Sequence, residues 1–335
     1  MRTRMSAPYS TAVVIAASCL LCAGVIGPTS VKALAAPQTQ GGPAPQSAEA
    51  STLKVVVVGS GAGPLVNVQR FGPSILIDAG GQLLLFDCGR GATIRLAQMG
   101  ISIGRVNRVF LTHLHSDHLI GLPDLFLTAP SGATGRRVPL EVWGPVGTRD
   151  MMDYMQRAFA FDLRMRRDEE RWSKEGLSVV TRDIEQGVVF ENLGLKVIAF
   201  LVDHGHVKPA FGYRVEYNGH SVALSGDTRP SENLIKYAQG VDVLIHEAAS
   251  GDYSRATTQE QREQIEFVTG IHTLPEQAAD IFSRVKPRLA IFAHAPVSEE
   301  LIARTKRTYA GLVEGADDMM TIEIGKSIEI RRFAR

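Results

Sequence analysis

The sequence has 335 residues, of which 44% are hydrophobic, and its formal net charge at pH 7 is +1. This composition is typical of a globular protein of one or two domains with a sizeable core. Because acidic and basic residues nearly balance, the charge gives no electrostatic reason to expect nucleic acid or an anionic membrane as a partner.

The N-terminal residues 1–35 have the pattern of a secretory signal peptide. Arg2 and Arg4 precede an apolar run at residues 11–28, and the small residues of Ala33-Leu34-Ala35 suit a cleavage site. An uncleaved membrane anchor is the alternative, since a run of this length is close to the shortest that spans a bilayer. We expect cleavage, and therefore a periplasmic or secreted protein without a stable membrane anchor.

Residues 36–52 are rich in proline, glycine, glutamine and alanine, a composition that predicts a disordered linker. The remaining residues 53–335 are predicted to form the mature domain. Cleavage would remove Cys19 and Cys22, which leaves Cys88 alone and allows no internal disulfide. Stability must then come from the core and from any bound metal.

The apolar segments of the mature chain alternate between short strands and helices. Apolar and β-branched runs predict strands at 53–58, 74–77, 82–86, 106–112, 138–143, 195–202, 211–217, 221–225, 241–245 and 289–293. Helices are predicted at 92–99, 231–239 and 275–285, and a final hairpin at 319–333. A charged insertion at 148–175 is also predicted to be helical, and it either covers a site or packs at an edge. This order of elements predicts an α+β domain in which stacked sheets are flanked by helices.

The segment FLTHLHSDHLIG at residues 110–121 contains three of the nine histidines of the chain. His113, His115, Asp117 and His118 fall within six positions, a density that is difficult to satisfy in an apolar core. Neutral imidazoles and carboxylates are natural ligands of zinc and related metals. A histidine-rich surface loop is the alternative, but the pattern favours a metal site.

Further metal-ligand side chains come directly after apolar strands. His204 follows LKVIAFLVD, Asp227 follows HSVALSG, His246 follows VDVLI and His294 follows LAIFA. A single residue of this kind is explained equally well as a strand cap or as a metal ligand. Several strand endings with the same chemistry indicate that separate strands converge on one site.

These segments resemble the metallo-β-lactamase fold. FLTHLHSDH is similar to its His-x-His-x-Asp-His motif. LLLFDCGRG, DHGHVKPAFGYRVE, LSGDT, IHEAA, IHTLPEQAADI and IFAHAP resemble, in order, the motifs of its ribonuclease Z-like branch, which also includes arylsulfatase-like enzymes. The resemblance implies a four-layer αβ/βα sandwich with a dinuclear metal site at one edge.

The resemblance also implies a set of ligands for two divalent ions per chain. One ion would be bound by His113, His115 and His204, the other by Asp117, His118 and His294, with Asp227 bridging the two. Zinc is the first expectation, with manganese or iron as alternatives, because the site mixes imidazole and carboxylate. His206 competes with His204, since both precede the Gly-Tyr-Arg segment; relatives with the longer Asp-His-Gly-x-Val-Lys-Pro segment favour His204.

The family resemblance also implies catalytic roles. A metal-activated hydroxide would be the nucleophile, and Asp117 is counted as catalytic as well as a ligand. His272 would act as a general acid or stabilise the oxyanion, with a helix-cap role as the alternative. His246 and Glu247 would support the ligands, and Asp87 would orient the ligand loop.

The sequence departs from ribonuclease Z in one respect. Only residues 214–226 separate the Gly-Tyr-Arg segment from Asp227, which leaves no room for the protruding arm that grips transfer RNA in that enzyme. We therefore expect an exported hydrolase of small phosphodiester or aryl sulfate esters, with a small-molecule substrate and no nucleic acid. A lactone or β-lactam hydrolase is the alternative, and a catalytically silent binding protein is a third reading. The sequence leaves a homo-oligomer open.

Overall fold

The computed structural model describes residues 52–254 and 256–333. The predicted signal peptide and nearly all of the predicted linker lie outside the described residues. Within the described part, no helix has the length and apolar character needed to cross a membrane.

Strands and helices alternate through the described residues. The strands are β1 (Leu53–Gly59), β2 (Ser74–Ala79), β3 (Gln82–Phe86), β4 (Arg108–Phe110), β5 (Leu140–Gly144), β6 (Val179–Asp183), β7 (Gly187–Asn192), β8 (Leu195–His204), β9 (Val207–Tyr217), β10 (His220–Leu224), β11 (Val243–His246), β12 (Leu289–Phe292), β13 (Val313–Gly315), β14 (Met320–Ile324) and β15 (Ile328–Arg331). The helices are α1 (Ala92–Gln98), α2 (Ser116–Leu119), α3 (Leu122–Thr128), α4 (Thr148–Ala158), α5 (Ala160–Asp168), α6 (Glu232–Tyr237), α7 (Gln259–Ile271), α8 (Pro275–Val285) and α9 (Glu299–Lys306).

Among the described residues the strands form two sheets, in the orders β15-β14-β1-β2-β3-β4-β5-β6 and β13-β12-β11-β10-β9-β8-β7. Each sheet has an antiparallel half and a parallel half. The parallel strands are β3 to β6 in the first sheet and β10 to β13 in the second. Parallel strands point their carboxyl ends to the same edge, so each sheet collects the residues that follow its strands at one edge.

The side chains of β1 show how the layers are held together. Val55 and Val57 lie in the core between the two sheets, whereas Val56 and Val58 lie in a second core beneath helices α1 and α3. Because successive side chains of a strand point to opposite faces, a strand buried on both faces needs an uninterrupted apolar run. A third core packs helices α6, α8 and α9 onto the other sheet. The result is helix, sheet, sheet, helix, which confirms the predicted four-layer αβ/βα sandwich.

Several of the elements that sequence reasoning missed have little buried surface, although the missed helix α9 buries Leu301 and Thr305. Strands β6 and β7 have no fully buried residue, and neither does helix α7. Strand β8 also runs two residues beyond its predicted end, to His204, across a register shift in its pairing with β9.

The insertion at 148–175 contains helices α4 and α5. Met152 of α4 is fully buried in the core beneath the first sheet, and the helix contacts β5 and the edge strand β6. The insertion therefore packs at the sheet edge, and none of its residues lines the cavity described below.

Candidate metal centre

Several residues predicted for the site lie at the carboxyl ends of parallel strands, whereas His204 ends the antiparallel strand β8. Asp87 directly follows β3. Two residues separate the end of β4 from His113 and the end of β10 from Asp227, and one residue separates the end of β12 from His294. Glu247 directly follows β11. The parallel halves of the two sheets thus bring these side chains to one edge of the sandwich.

The first group of potential ligands consists of His113, His115, His204 and Asp227. His113 Nε2 lies 2.9 Å from His115 Nδ1, and His204 Nε2 lies 3.4 Å from the same atom. Asp227 Oδ2 lies 3.9 Å from both His113 Nε2 and His204 Nε2. These donor atoms surround a common space, which is the arrangement a metal ion requires.

The second group consists of Asp117, His118 and His294. His294 Nε2 lies 3.2 Å from Asp117 Oδ2, and His118 Nε2 lies 3.6 Å from it. The other oxygen of the bridging candidate, Asp227 Oδ1, lies 3.4 Å from His118 Nε2 and 3.6 Å from His294 Nε2. The two oxygens of one carboxylate therefore face the two groups.

Buried polar atoms without a partner show that the second group suits a cation. His118 Nε2 and Asp227 Oδ1 are both buried and make no hydrogen bond within the protein. Leaving such atoms unsatisfied is costly, because each has lost its water without gaining a protein partner. Burial raises the pKa of Asp227, but His294 and His118 outweigh that effect and hold it well below its usual value. An ionised carboxylate and an unpaired imidazole nitrogen fit a divalent metal.

The first group presents neutral imidazoles, as metal ligands must be. Burial lowers the pKa of His113 well below its usual value and lowers that of His204 to about 4. Burial also lowers the pKa of His115. Nδ1 of His204 donates to the carbonyl of Ile271 at 3.0 Å, which leaves Nε2 as the nitrogen with a lone pair facing the site.

The Asp87 carboxylate fixes the loop that carries the histidine motif. Its Oδ1 accepts from the Thr112 backbone N–H at 2.8 Å, and its Oδ2 accepts from Thr112 Oγ1 at 2.9 Å. His118 Nδ1 lies 2.7 Å from Oδ2, so Nε2 is turned toward the second group. The Tyr213 hydroxyl donates to the carbonyl of Leu111 at 2.6 Å and holds the start of the same loop. Asp87 is thus placed to orient the loop, as the resemblance implies.

Close backbone packing surrounds this loop. A Cβ atom on Gly121 would lie 2.2 Å from the carbonyl oxygen of Gly89, and one on Gly89 would lie 2.7 Å from that of Asp117. Neither approach is sterically allowed, so both positions require glycine. His294 adopts a left-handed φ of 52°, a conformation that is costly for a non-glycine residue.

His272 approaches the two groups from the connection between α7 and α8. It occupies the C-cap position of α7, and its Nδ1 lies 3.2 Å from Glu247 Oε1 and 4.0 Å from Asp227 Oδ2. Burial lowers the pKa of His272, but the hydrogen bond with Glu247 and the negative charges of Glu247 and Asp227 together outweigh burial, and the net shift is upward. The ring therefore reaches the site although the residue also ends a helix.

Glu247 is held in place by its own hydrogen bonds. Its Oε1 accepts from the backbone N–H groups of Thr228 and Thr273, both at 3.1 Å. His246 is fully buried behind it, where Nδ1 donates to the Glu247 carbonyl at 2.6 Å and burial lowers the histidine pKa to about 4. Neither residue belongs to the two ligand groups, and both are placed to support the site.

His206, the rejected alternative to His204, lies outside both groups. Its side chain is exposed, and its ring centroid is 5.6 Å from that of Phe267 on helix α7. His204 is fully buried and contributes to the first group.

A cavity of about 470 Å³ opens beside the two groups. His115, Asp117, Asp227, His272 and His294 line one end of it. A ligand in this cavity would therefore contact both groups and the His272 side chain together. Part of its wall comes from helix α7, which sequence reasoning missed. The pair Thr258 and Gln261, which forms a capping box at the start of that helix, was the signal that could have found it.

Comparison with known proteins agrees with this geometry. The Beta-lactamase superfamily domain matches residues 75–295 of the chain. Ribonuclease Z of Mycobacterium sp. (strain KMS) is 32% identical over 286 residues, which cover 83% of this chain and 99% of that protein. Ribonuclease Z of Mycobacterium avium (strain 104) is 33% identical over 279 residues, covering 81% and 98%. The chain therefore belongs to the metallo-β-lactamase superfamily of metal-dependent hydrolases, and these relatives cleave phosphodiester bonds.

Solved structures share the same architecture. The metallo-β-lactamase fold protein YhfI from Bacillus subtilis has a TM-score of 0.63 at 16% identity, covering 81% of this chain and 99% of that one. The short form of human tRNase Z has a TM-score of 0.58 at 23% identity, covering 80% and 98%. At these identities the two structures support the fold alone.

The relatives contradict the expectation that nucleic acid is not a partner. Ribonuclease Z acts on RNA, and the chain matches nearly the whole length of that enzyme. The expectation rested on the near-neutral charge, on the predicted export signal and on the short segment 214–226 before Asp227. Net charge sums residues over the whole surface and does not describe the field at one cleft, so it was a poor guide to this partner.

Proposed function

We propose that the protein is a phosphodiesterase that uses two metal ions. His113, His115 and His204 hold one ion, Asp117, His118 and His294 hold the other, and Asp227 lies between them. The observation that carries the proposal is the placement of the two Asp227 oxygens, each facing a different ligand group. Zinc is the first candidate, and manganese and iron remain candidates because both groups combine imidazole with carboxylate.

Each catalytic side chain has a distinct task in this proposal. When bound, paired divalent ions supply Lewis-acid stabilisation of the charge that develops on a phosphoryl group. Asp117 faces both the second group and the cavity, where its carboxylate can accept a hydrogen bond from the attacking water. His272 lines the same cavity, and because Glu247 holds its Nδ1, Nε2 is the nitrogen that donates a proton to the leaving oxygen.

Phosphodiesters are favoured over the other ester classes by the ribonuclease Z relatives, which cleave that bond. The diester is either part of an RNA chain or a small molecule. Aryl sulfates remain a second candidate only because the sequence motifs also resemble arylsulfatase-like enzymes. Export to the periplasm or outside the cell is supported by the predicted signal peptide at residues 1–35 alone.

A panel of substrates on one metal-loaded preparation tests the proposal. We expect hydrolysis of bis(p-nitrophenyl) phosphate or of a transfer RNA precursor with a 3′ extension, lost on chelation and restored by adding metal. Nitrophenyl sulfate, a lactone and a chromogenic β-lactam serve as the competing classes. Turnover of a sulfate, lactone or β-lactam without any turnover of the two phosphodiesters would contradict the assignment.

A further inference from the structure

The cavity beside the candidate metal centre has two chemically different ends. The ligand groups and His272 line one end. The other carries apolar side chains from helix α7, namely Ile265, Phe267, Val268 and Ile271, which we call the α7 wall. A concave site with a few converging polar groups and an apolar remainder is the usual form of a small-ligand site.

The α7 wall does not serve the protein core. Helix α7 has no buried residue, and Phe267 remains 52% exposed. Its ring contacts His206 on the turn between β8 and β9, with 5.6 Å between ring centroids. These apolar side chains pack against no core, but they line a cavity next to a reactive centre. Their apolar character is therefore explained by a ligand that binds in the cavity.

The distribution of charged residues in the cavity also favours an uncharged ligand group at the α7 wall. No lysine or arginine is among the described residues that line it, and its acidic members, Asp117, Asp227 and Glu247, lie at the metal end. Ion pairs with phosphates therefore contribute nothing at the α7 wall. Gln264 and Thr269 of the same helix offer hydrogen bonds, and the remaining contact at the α7 wall is with apolar surface, to which an aromatic ring adds stacking.

We propose that the α7 wall is a subsite for a flat aromatic ring carried by the phosphodiester, with Phe267 as the residue that determines this specificity. The inference rests on the proposed function, because the ligand groups hold the phosphoryl end and so place the rest of the substrate against α7. The ring has two sources with the same chemistry, a nucleobase or the aryl group of a small ester.

Binding by calorimetry to the metal-loaded full chain tests the subsite without requiring turnover. Phenylphosphonate is compared with methylphosphonate, and adenosine 5′-monophosphate with ribose 5-phosphate. In at least one pair, the wild type should bind the ring-bearing compound about tenfold more tightly. Phe267→Ala should abolish that preference and leave the affinity of the ring-free compound unchanged. A preference confined to the nucleotide pair identifies a nucleobase, and one confined to the phosphonate pair identifies an aryl group.

Phe161→Ala is the matched control, because Phe161 is also exposed on a helix, at 71%, and does not line the cavity. It should keep the wild-type preference, and Phe267→Leu should keep part of it. Metal content measured on each variant shows whether the site is intact. Wild-type protein without any preference for a ring, or Phe267→Ala with the preference unchanged, would overturn the subsite. Phosphodiester hydrolysis measured on the same wild-type preparation tests the proposed function separately.

Discussion

Asp227→Ala is expected to empty both metal positions. The carboxylate faces His113 and His204 with one oxygen and His118 and His294 with the other, and among the described residues it is the side chain that lies between the two groups. Its removal leaves the first group with imidazoles alone and takes one of the two carboxylates from the second. Metal content, measured by elemental analysis after metal-replete purification, should fall from about two ions per chain to well below one.

His206→Ala is the matched control for this loss. It removes a histidine from the same segment as His204, but its exposed ring belongs to neither group. His206→Ala should keep its metal, whereas His204→Ala should lose the ion of the first group. If His206→Ala instead empties one position and His204→Ala does not, the roles of the two histidines must be exchanged.

His272→Ala is expected to lose turnover and keep metal. The ring is tied to Glu247 through Nδ1 and reaches the cavity without belonging to either ligand group. Removal of a general acid lowers the rate by roughly a hundred- to ten-thousand-fold. The loss should be largest for substrates with poor leaving groups and should shrink for nitrophenyl esters, whose leaving oxygen needs no proton.

Turnover and metal content of His272→Ala must be measured on the same preparation. His220→Ala serves as the control and should match wild type in both, because His220 lies at the start of β10, whereas Asp227 lies beyond the end of that strand. Parallel loss of metal and activity in His272→Ala would make His272 a ligand or a structural cap. A full rate on a poor leaving group would show that it takes no part in proton transfer.

Much of the site could be predicted because its residues follow strands. Apolar runs such as LKVIAFLVD and LAIFA mark buried strands, and the metal-ligand side chains at their ends, His204 and His294, lie together in the structure. Stacked sheets were predictable for the same reason, since β1 is buried on both faces over Val55 to Val58 and has no polar residue there, and the family resemblance implied the four layers.

The features that sequence reasoning missed depend on contacts between distant segments. Helix α7 buries none of its residues, and its apolar side chains, including Phe267, line the cavity instead of facing a core. The Asp87 carboxylate makes hydrogen bonds with Thr112 and His118, which are 25 and 31 residues away in the sequence. The contacts of Asp87 leave no local pattern, whereas the start of α7 is marked by the capping box of Thr258 and Gln261. The partner prediction failed because total charge carries no information about where charges lie.

Titration of metal into the metal-free protein, followed by phosphodiester hydrolysis at each addition, tests the central claim most directly. Two ligand groups that share Asp227 predict that hydrolysis rises with added metal and reaches its plateau at about two equivalents per chain. Hydrolysis that is complete without metal, or a protein that binds no metal after metal-replete purification, would contradict a dinuclear phosphodiesterase.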